Sequence, residues 1–262
     1  MKALRILMIL TMVAVFSMVF AGAGMADMSW GNGSMRGPEY GHSSGPTIPA
    51  PGYQNGPHGP TPAPHPGPQG LAPGQPGPGD AHQAFMNTML QMPYQPINDV
   101  ELAGMMRIRE EEKLAHDVYQ FLANHWNNPT FANMAQAEQT HMETMLALMG
   151  KYGVPDPVPG NVPGKFSDPE FQNLYHELTT RGMASFDNAL EVGARVEDMN
   201  IHDLNAMTAM TDNADIRFVY QKHMASSVGQ MRMLTGFMGG YGHTYSPQYM
   251  SQEAYDQMMM GM

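Results

Sequence analysis

The chain contains no cysteine among its 262 residues. Disulfides, thiolate metal sites and lipid attachment through cysteine are therefore excluded. Basic residues are scarce, 13 Lys and Arg against 24 Asp and Glu, for a net charge of −11. They form no cluster, so nucleic acid is not an expected partner. Solubility and attraction for cations are the expected consequences of the acidic balance. No useful length of chain alternates polar and apolar residues with period two, so strands are not expected. The apolar run over residues 6–20 is short for a membrane span.

Methionine, by contrast, is abundant, with 29 copies. Its side chain is a flexible apolar filler and a soft thioether that ligates copper(I) or is oxidised reversibly. No tight Met-x-x-Met array is backed by histidines, and the run at 258–262 has no such partners. Core filling is the leading reading; copper handling or oxidant scavenging by the tail and the His-containing linker is a weaker one.

Composition divides the chain into four parts. Residues 1–26 read as a signal peptide, with Lys2 and Arg5, then the apolar run, then small residues ending at Ala26. Export to the periplasm, the cell surface or the medium is the expectation. Residues 27–97 are rich in proline and glycine, and read as a disordered tether to a membrane or cell surface. The scattered His42, His58, His65 and His82 in that stretch are weak candidates to collect metal. A folded domain is expected over 98–238, and a mobile Met/Gly/Tyr tail over 239–262, with one helical turn near Glu253.

Within the domain the spacing predicts helices only. Asp99 caps a first helix to about Asn124, and Asn128-Pro129 starts a second that ends near Gly150 or Gly153. Ser167 with Glu170 forms a capping box for a shorter helix to about Arg181, stopped by Gly182. Ser185 starts a third long helix over 186–199, followed by a brief helical piece over 201–207. Thr211 and Asp212 cap a last long helix from Asn213 to Phe237. Four long helices and one short one predict an all-α four-helix bundle.

The second long helix carries Glu138 and His141, one turn apart on one face. Met134, Met145, Leu148 and Met149 fall on or beside that face, which turns both ionisable groups towards the core. Buried charge is costly unless it is paired, hydrogen-bonded or bound to metal. Other helices offer similar groups: Glu197 lies on a face with Leu190, Ala194, Ile201 and Leu204. His223 and Gln230 share a face with Ile216, Tyr220, Ser227 and Leu234. On the first helix, Glu111 lies nearer the apolar stripe, whereas Glu112 aligns with Ile108, Ala115 and Tyr119; spacing leaves that choice open. Together these groups point to a carboxylate–histidine metal site suited to iron or manganese, with zinc also accommodated.

The segments EEEKLAHDVY, EQTHM, ALEVGARVEDMNIHDL and TDNADIRFVYQ resemble the uncharacterised family called domain of unknown function 2202, over roughly residues 100–235. The resemblance implies a ferritin-like bundle near the rubrerythrins and ferritins, whose better-known members use dinuclear iron for ferroxidase or peroxidase chemistry. It implies Glu112, followed by Ala115 and Tyr119, as the first-helix ligand, with Glu138 and His141 on the second helix and Glu197 on the third. The fourth helix departs from that pattern, having Ser227 and Gln230 where a second Glu-x-x-His is expected. Neither supplies a charge. His223 lies seven residues from Gln230, about 10 Å along a helix, and so is not expected to take over its coordination position. A non-enzymatic scaffold or interaction module with a degenerate site is the alternative function.

Overall fold

Side-chain caps fix most of the helix boundaries in this computed structural model, which describes residues 78–158 and 160–260. Those residues form seven α-helices and no strand. In chain order they are α1 (Pro78–Gln91), α2 (Asp99–Trp126), α3 (Pro129–Tyr152), α4 (Pro169–Gly182), α5 (Phe186–Met210), α6 (Ala214–Gly240) and α7 (Gln252–Met259). The all-α class expected from the sequence is what the described residues adopt. None of these helices is long and apolar enough to cross a membrane.

Asn98, one residue before the expected cap, begins α2. Its carboxamide accepts the N–H groups of Val100 and Glu101, while the Glu101 carboxylate accepts the N–H of Asn98. This reciprocal arrangement satisfies three of the amides a helix start leaves orphaned. Asn128 and Pro129 start α3, and Gly153 (φ 68°) ends it in a left-handed turn that glycine adopts without strain. Asp168, not Ser167, caps α4, because the Ser167 hydroxyl donates to the Pro157 carbonyl instead. Ser185 caps α5 as expected. The two pieces expected over 186–199 and 201–207 are one helix to Met210, since Ile201 and Leu204 continue its buried face without a break.

The four long helices enclose a common core: α2 packs on α3 and α5, α5 on α6, and α3 on α6. The shorter α4 bridges α2 and α5. At Gly193 an added Cβ would sit 3.0 Å from Leu234, so glycine permits the close approach of α5 and α6. The apolar interior falls into two clusters, one around Leu114, Val118, Leu122, Phe131, Leu190 and Leu234, the other around Met105, Ile108, Met145, Leu148, Leu204 and Ile216. On α2, α3 and α6 the predicted site residues lie along the helix between these clusters. A polar layer therefore interrupts an otherwise methionine- and leucine-rich core.

Two stretches outside the expected domain limits are also folded. α1 falls inside the stretch read as a tether; it rests on α3 and α6, with Met89 fully buried and Phe85 stacked on Phe218 at 4.6 Å. Lys151 holds its C-terminus by donating to the carbonyls of Met89 and Met92. The stretch after Gly239 carries α7, which docks on α6 and buries Tyr245 and Tyr255. In both places a few apolar side chains at helical spacing, diluted by glycine and polar neighbours, suffice because a partner surface receives them. The expected signal peptide, and residues 27–77 of the expected tether, lie outside the described residues.

Candidate metal centre

Around its middle α2 is enclosed on all sides, and every residue from Ile108 to Ala115 is buried. Glu111 and Glu112 are therefore both buried, each 1% exposed, but they meet different neighbours. Glu112 faces α3 and α6. Its Oε2 lies 3.1 Å from His141 Nδ1 and its Oε1 lies 2.8 Å from His223 Nδ1. Glu111 faces α5, where Arg107 Nε lies 2.8 Å from both Glu111 Oε1 and Asp203 Oδ2. Burial, and then the Asp203 charge, push the Glu111 carboxyl well above the ordinary range. Of the two alternatives left open by spacing, Glu112 joins the centre and Glu111 belongs to a separate ion cluster.

His141 also contacts Glu138 Oε2, 2.7 Å from Nδ1, so one imidazole nitrogen serves two carboxylates. The His141 and His223 rings stack with centroids 4.3 Å apart and 20° between planes. Gln230 Nε2 donates to the other Glu138 oxygen at 2.5 Å. Glu197 accepts from the Tyr119 hydroxyl, which also lies 3.2 Å from the Gly193 carbonyl. One ligand atom from each of Glu112, His141 and His223 lies within 4.8 Å of the other two.

All the predicted site residues except Glu111 thus converge on one polar layer. The expectation that His223 and Gln230 are too far apart to occupy one position agrees with this geometry. Both nevertheless reach the centre, at opposite ends of the carboxylate pair: His223 at Glu112, Gln230 at Glu138. Tyr119 is the participant that apolar spacing alone would have assigned to the core. The signal that marks it is its place one turn beyond Ala115, on the Glu112 face.

The charges are strongly perturbed. Burial opposes ionisation of Glu112, but His141 and His223 outweigh it and hold this carboxyl below the ordinary range. Burial lifts Glu138, and His141 offsets only part of that. Burial also disfavours a charged His141, yet Glu138 and Glu112 raise it well above a free imidazole. His223, buried and beside His141, is shifted the other way. Burial and the Glu138 charge push Glu197 well above a free carboxyl. These shifts favour charge on His141 and Glu112 over charge on His223 and Glu197.

A neutral His223 that donates Nδ1–H to Glu112 leaves Nε2 as a bare acceptor, a tautomer inferred from its partner. That atom is buried and unpartnered, as is Gln230 Oε1, while the Ser227 hydroxyl lies beside Glu197. Each orphan of this kind costs about 1–3 kcal/mol in a dry interior. Imidazoles and carboxylates gathered at one point are the donor set that divalent first-row ions take. The residues therefore fit a metal.

The family model described as uncharacterized protein domain DUF2202 matches residues 101–261, so it takes in α7 as well as the four long helices. An uncharacterized protein of Methanocaldococcus jannaschii is 45% identical over 168 residues, 64% of this chain and 91% of the relative. The crystal structure of a hypothetical protein from Methanococcus jannaschii superposes with a TM-score of 0.64 at 44% identity, covering 66% of this chain and 98% of the other. From α2 to the end of α7, then, this chain is a member of the DUF2202 family.

Proposed function

We propose that the chain is an exported, ferritin-like metal-binding protein. Its centre is built from Glu112, Glu138, His141 and Glu197, joined by His223. Iron or manganese suits the mixture of carboxylate and imidazole, and zinc competes for the same donors. The observation that carries this reading is the buried layer of three carboxylates and two imidazoles with unpartnered acceptor atoms inside a methionine-rich core.

A redox-active ion bound there would supply electron exchange with oxygen or peroxide. The chain's own residues do the rest. Glu112 and the two histidines present lone pairs, Tyr119 fixes one oxygen of Glu197, and Gln230 fixes one oxygen of Glu138. His141 releases its proton to become a ligand, so uptake is favoured by rising pH. The leader-like residues 1–26 and the Pro/Gly-rich stretch after them support a place outside the cytoplasm, on a tether.

Metal content of the full chain, equilibrated with Fe(II), Mn(II) or Zn(II) and then desalted, tests the reading. Bound metal is expected, and it should be lost in Glu112→Ala and His141→Ala. Metal at the level of the buffer blank, or content unchanged in both variants, contradicts it. A second reading, a helical scaffold with a degenerate site, draws support from Ser227 and Gln230, two neutral residues in the polar layer. It predicts no metal-dependent gain in stability.

A further inference from the structure

Resting on the metal-binding reading above, we propose that the centre takes one divalent ion per chain, held by Glu112, His141 and His223. Gln230 and Ser227 then fill the place of a second ion. The donors on the two sides of the layer differ in kind. On the α2 side, one ligand atom each from a carboxylate and two imidazoles lie within 4.8 Å of one another. Two imidazoles and one carboxylate are a sufficient set for a single iron(II) or zinc ion, leaving further positions open.

On the other side one oxygen of each carboxylate is already engaged by a neutral donor. The Gln230 amide N–H, which cannot ligate a cation, points at Glu138 Oε1 from 2.5 Å. The Tyr119 hydroxyl is held on Glu197 Oε1. Ser227 and Gln230, 1% and 7% exposed, bring no charge.

Charge balance leads to the same count. The layer has three carboxylates, Glu112, Glu138 and Glu197, and its histidines ligate as neutral groups. With all three carboxylates ionised, two divalent ions would leave a net positive charge among residues that are at most 7% exposed, and an isolated buried charge is strongly disfavoured. One ion leaves a small negative excess, and the donors of Gln230 and Tyr119 are aimed at the two carboxylates that would carry it. The chain therefore trades the second ion for two hydrogen bonds.

Elemental analysis of the full chain, stripped and reloaded anaerobically with Fe(II) or aerobically with Zn(II), counts the ions. The count is taken as the difference from His141→Ala/His223→Ala, which subtracts ions collected by His42, His58 and His65. The expected difference is one ion per chain. Two ions overturn the proposal and leave the metal-binding reading standing; none overturns both.

The paired substitution Ser227→Glu/Gln230→His is expected to raise the count from one to two, with helicity checked by circular dichroism. Gln230→Glu alone serves the same purpose if the pair does not fold. A count that stays at one in a folded variant overturns the role given to Ser227 and Gln230. One ion retained in His223→Ala overturns the ligand set.

Discussion

Glu197 and Asp198 are neighbours on α5, both fully buried, and the protein treats them in opposite ways. Adjacent helical residues point about 100° apart, so one faces the polar layer and the other faces the segment around Tyr245. Asp198 is saturated. Its Oδ2 accepts the Tyr245 hydroxyl and the N–H groups of Gln248 and Tyr249, and its Oδ1 accepts the N–H of Met250. Asp215 is similarly closed by the Tyr152 hydroxyl and Lys151. Glu197 has the Tyr119 hydroxyl on one oxygen and, beyond it, only the weaker influence of the Ser227 hydroxyl. This fold can evidently deliver donors to a buried carboxylate, so the open acceptors of the central layer do not reflect a general shortage of them. The contrast separates acids that hold the chain together from an acid left with few donors beside the candidate metal centre.

The largest expected effect is on the closed side. Asp198→Ala leaves the Tyr245 hydroxyl and three backbone amides without their acceptor and should cost about 3 kcal/mol in urea unfolding. It should also release the chain after Gly240 to proteolysis, and both changes should be indifferent to chelators. Stability equal to that of the parent would remove the contrast.

The next effect is on the open side. Wild-type protein with free Zn(II) at a hundredfold excess over its dissociation constant should gain about 2.7 kcal/mol. Glu112→Leu/His141→Leu should gain nothing from metal. In chelator it should be less stable than wild type, because Glu138 Oε2 and His223 Nδ1 lose the partners that Glu112 and His141 supplied. An equal metal-induced gain in both proteins would show that the stabilising ion binds elsewhere.

The smallest effect is a pH slope. Burial raises the folded-state pKa of Glu197 above its unfolded value. Its contribution is therefore fully present below about pH 4.5, and is lost as pH rises through the folded value. In chelator this one group makes stability fall by up to about 1.4 kcal/mol per pH unit in that window. His141, also raised, acts in the same direction, and the depressed Glu112 acts in the opposite one. The difference between Glu197→Gln and wild type isolates the Glu197 share. A difference that does not vary between pH 4 and pH 8 would contradict the burial argument.

Much of this was legible in the sequence where local chemistry decides. Asn128-Pro129, Ser185 and Gly153 mark ends that caps and a left-handed turn enforce, and the Glu138/His141 spacing places both groups inside. Resolution was lost where tertiary enclosure decides. A stripe argument assumes one buried face, but α2 is buried all round at Ile108–Ala115, so it could not separate Glu111 from Glu112. Distance along α6 correctly kept His223 and Gln230 from sharing one position. It did not show that the layer extends far enough, from Glu112 to Glu138, to use both. α1 and the segment around Tyr245 owe their order to Lys151 and Asp198, residues distant in sequence, so their own composition could not announce it.

The central claim is that the polar layer is a metal site, and anomalous scattering from crystals of the full chain soaked in Mn(II) or Zn(II) tests it most directly. The account predicts a strong peak within bonding distance of Glu112, His141 and His223, about 2.0–2.3 Å, absent in His141→Ala/His223→Ala. A layer without a peak in crystals that take up the ion elsewhere, with His141 still bridging Glu112 and Glu138, would contradict it.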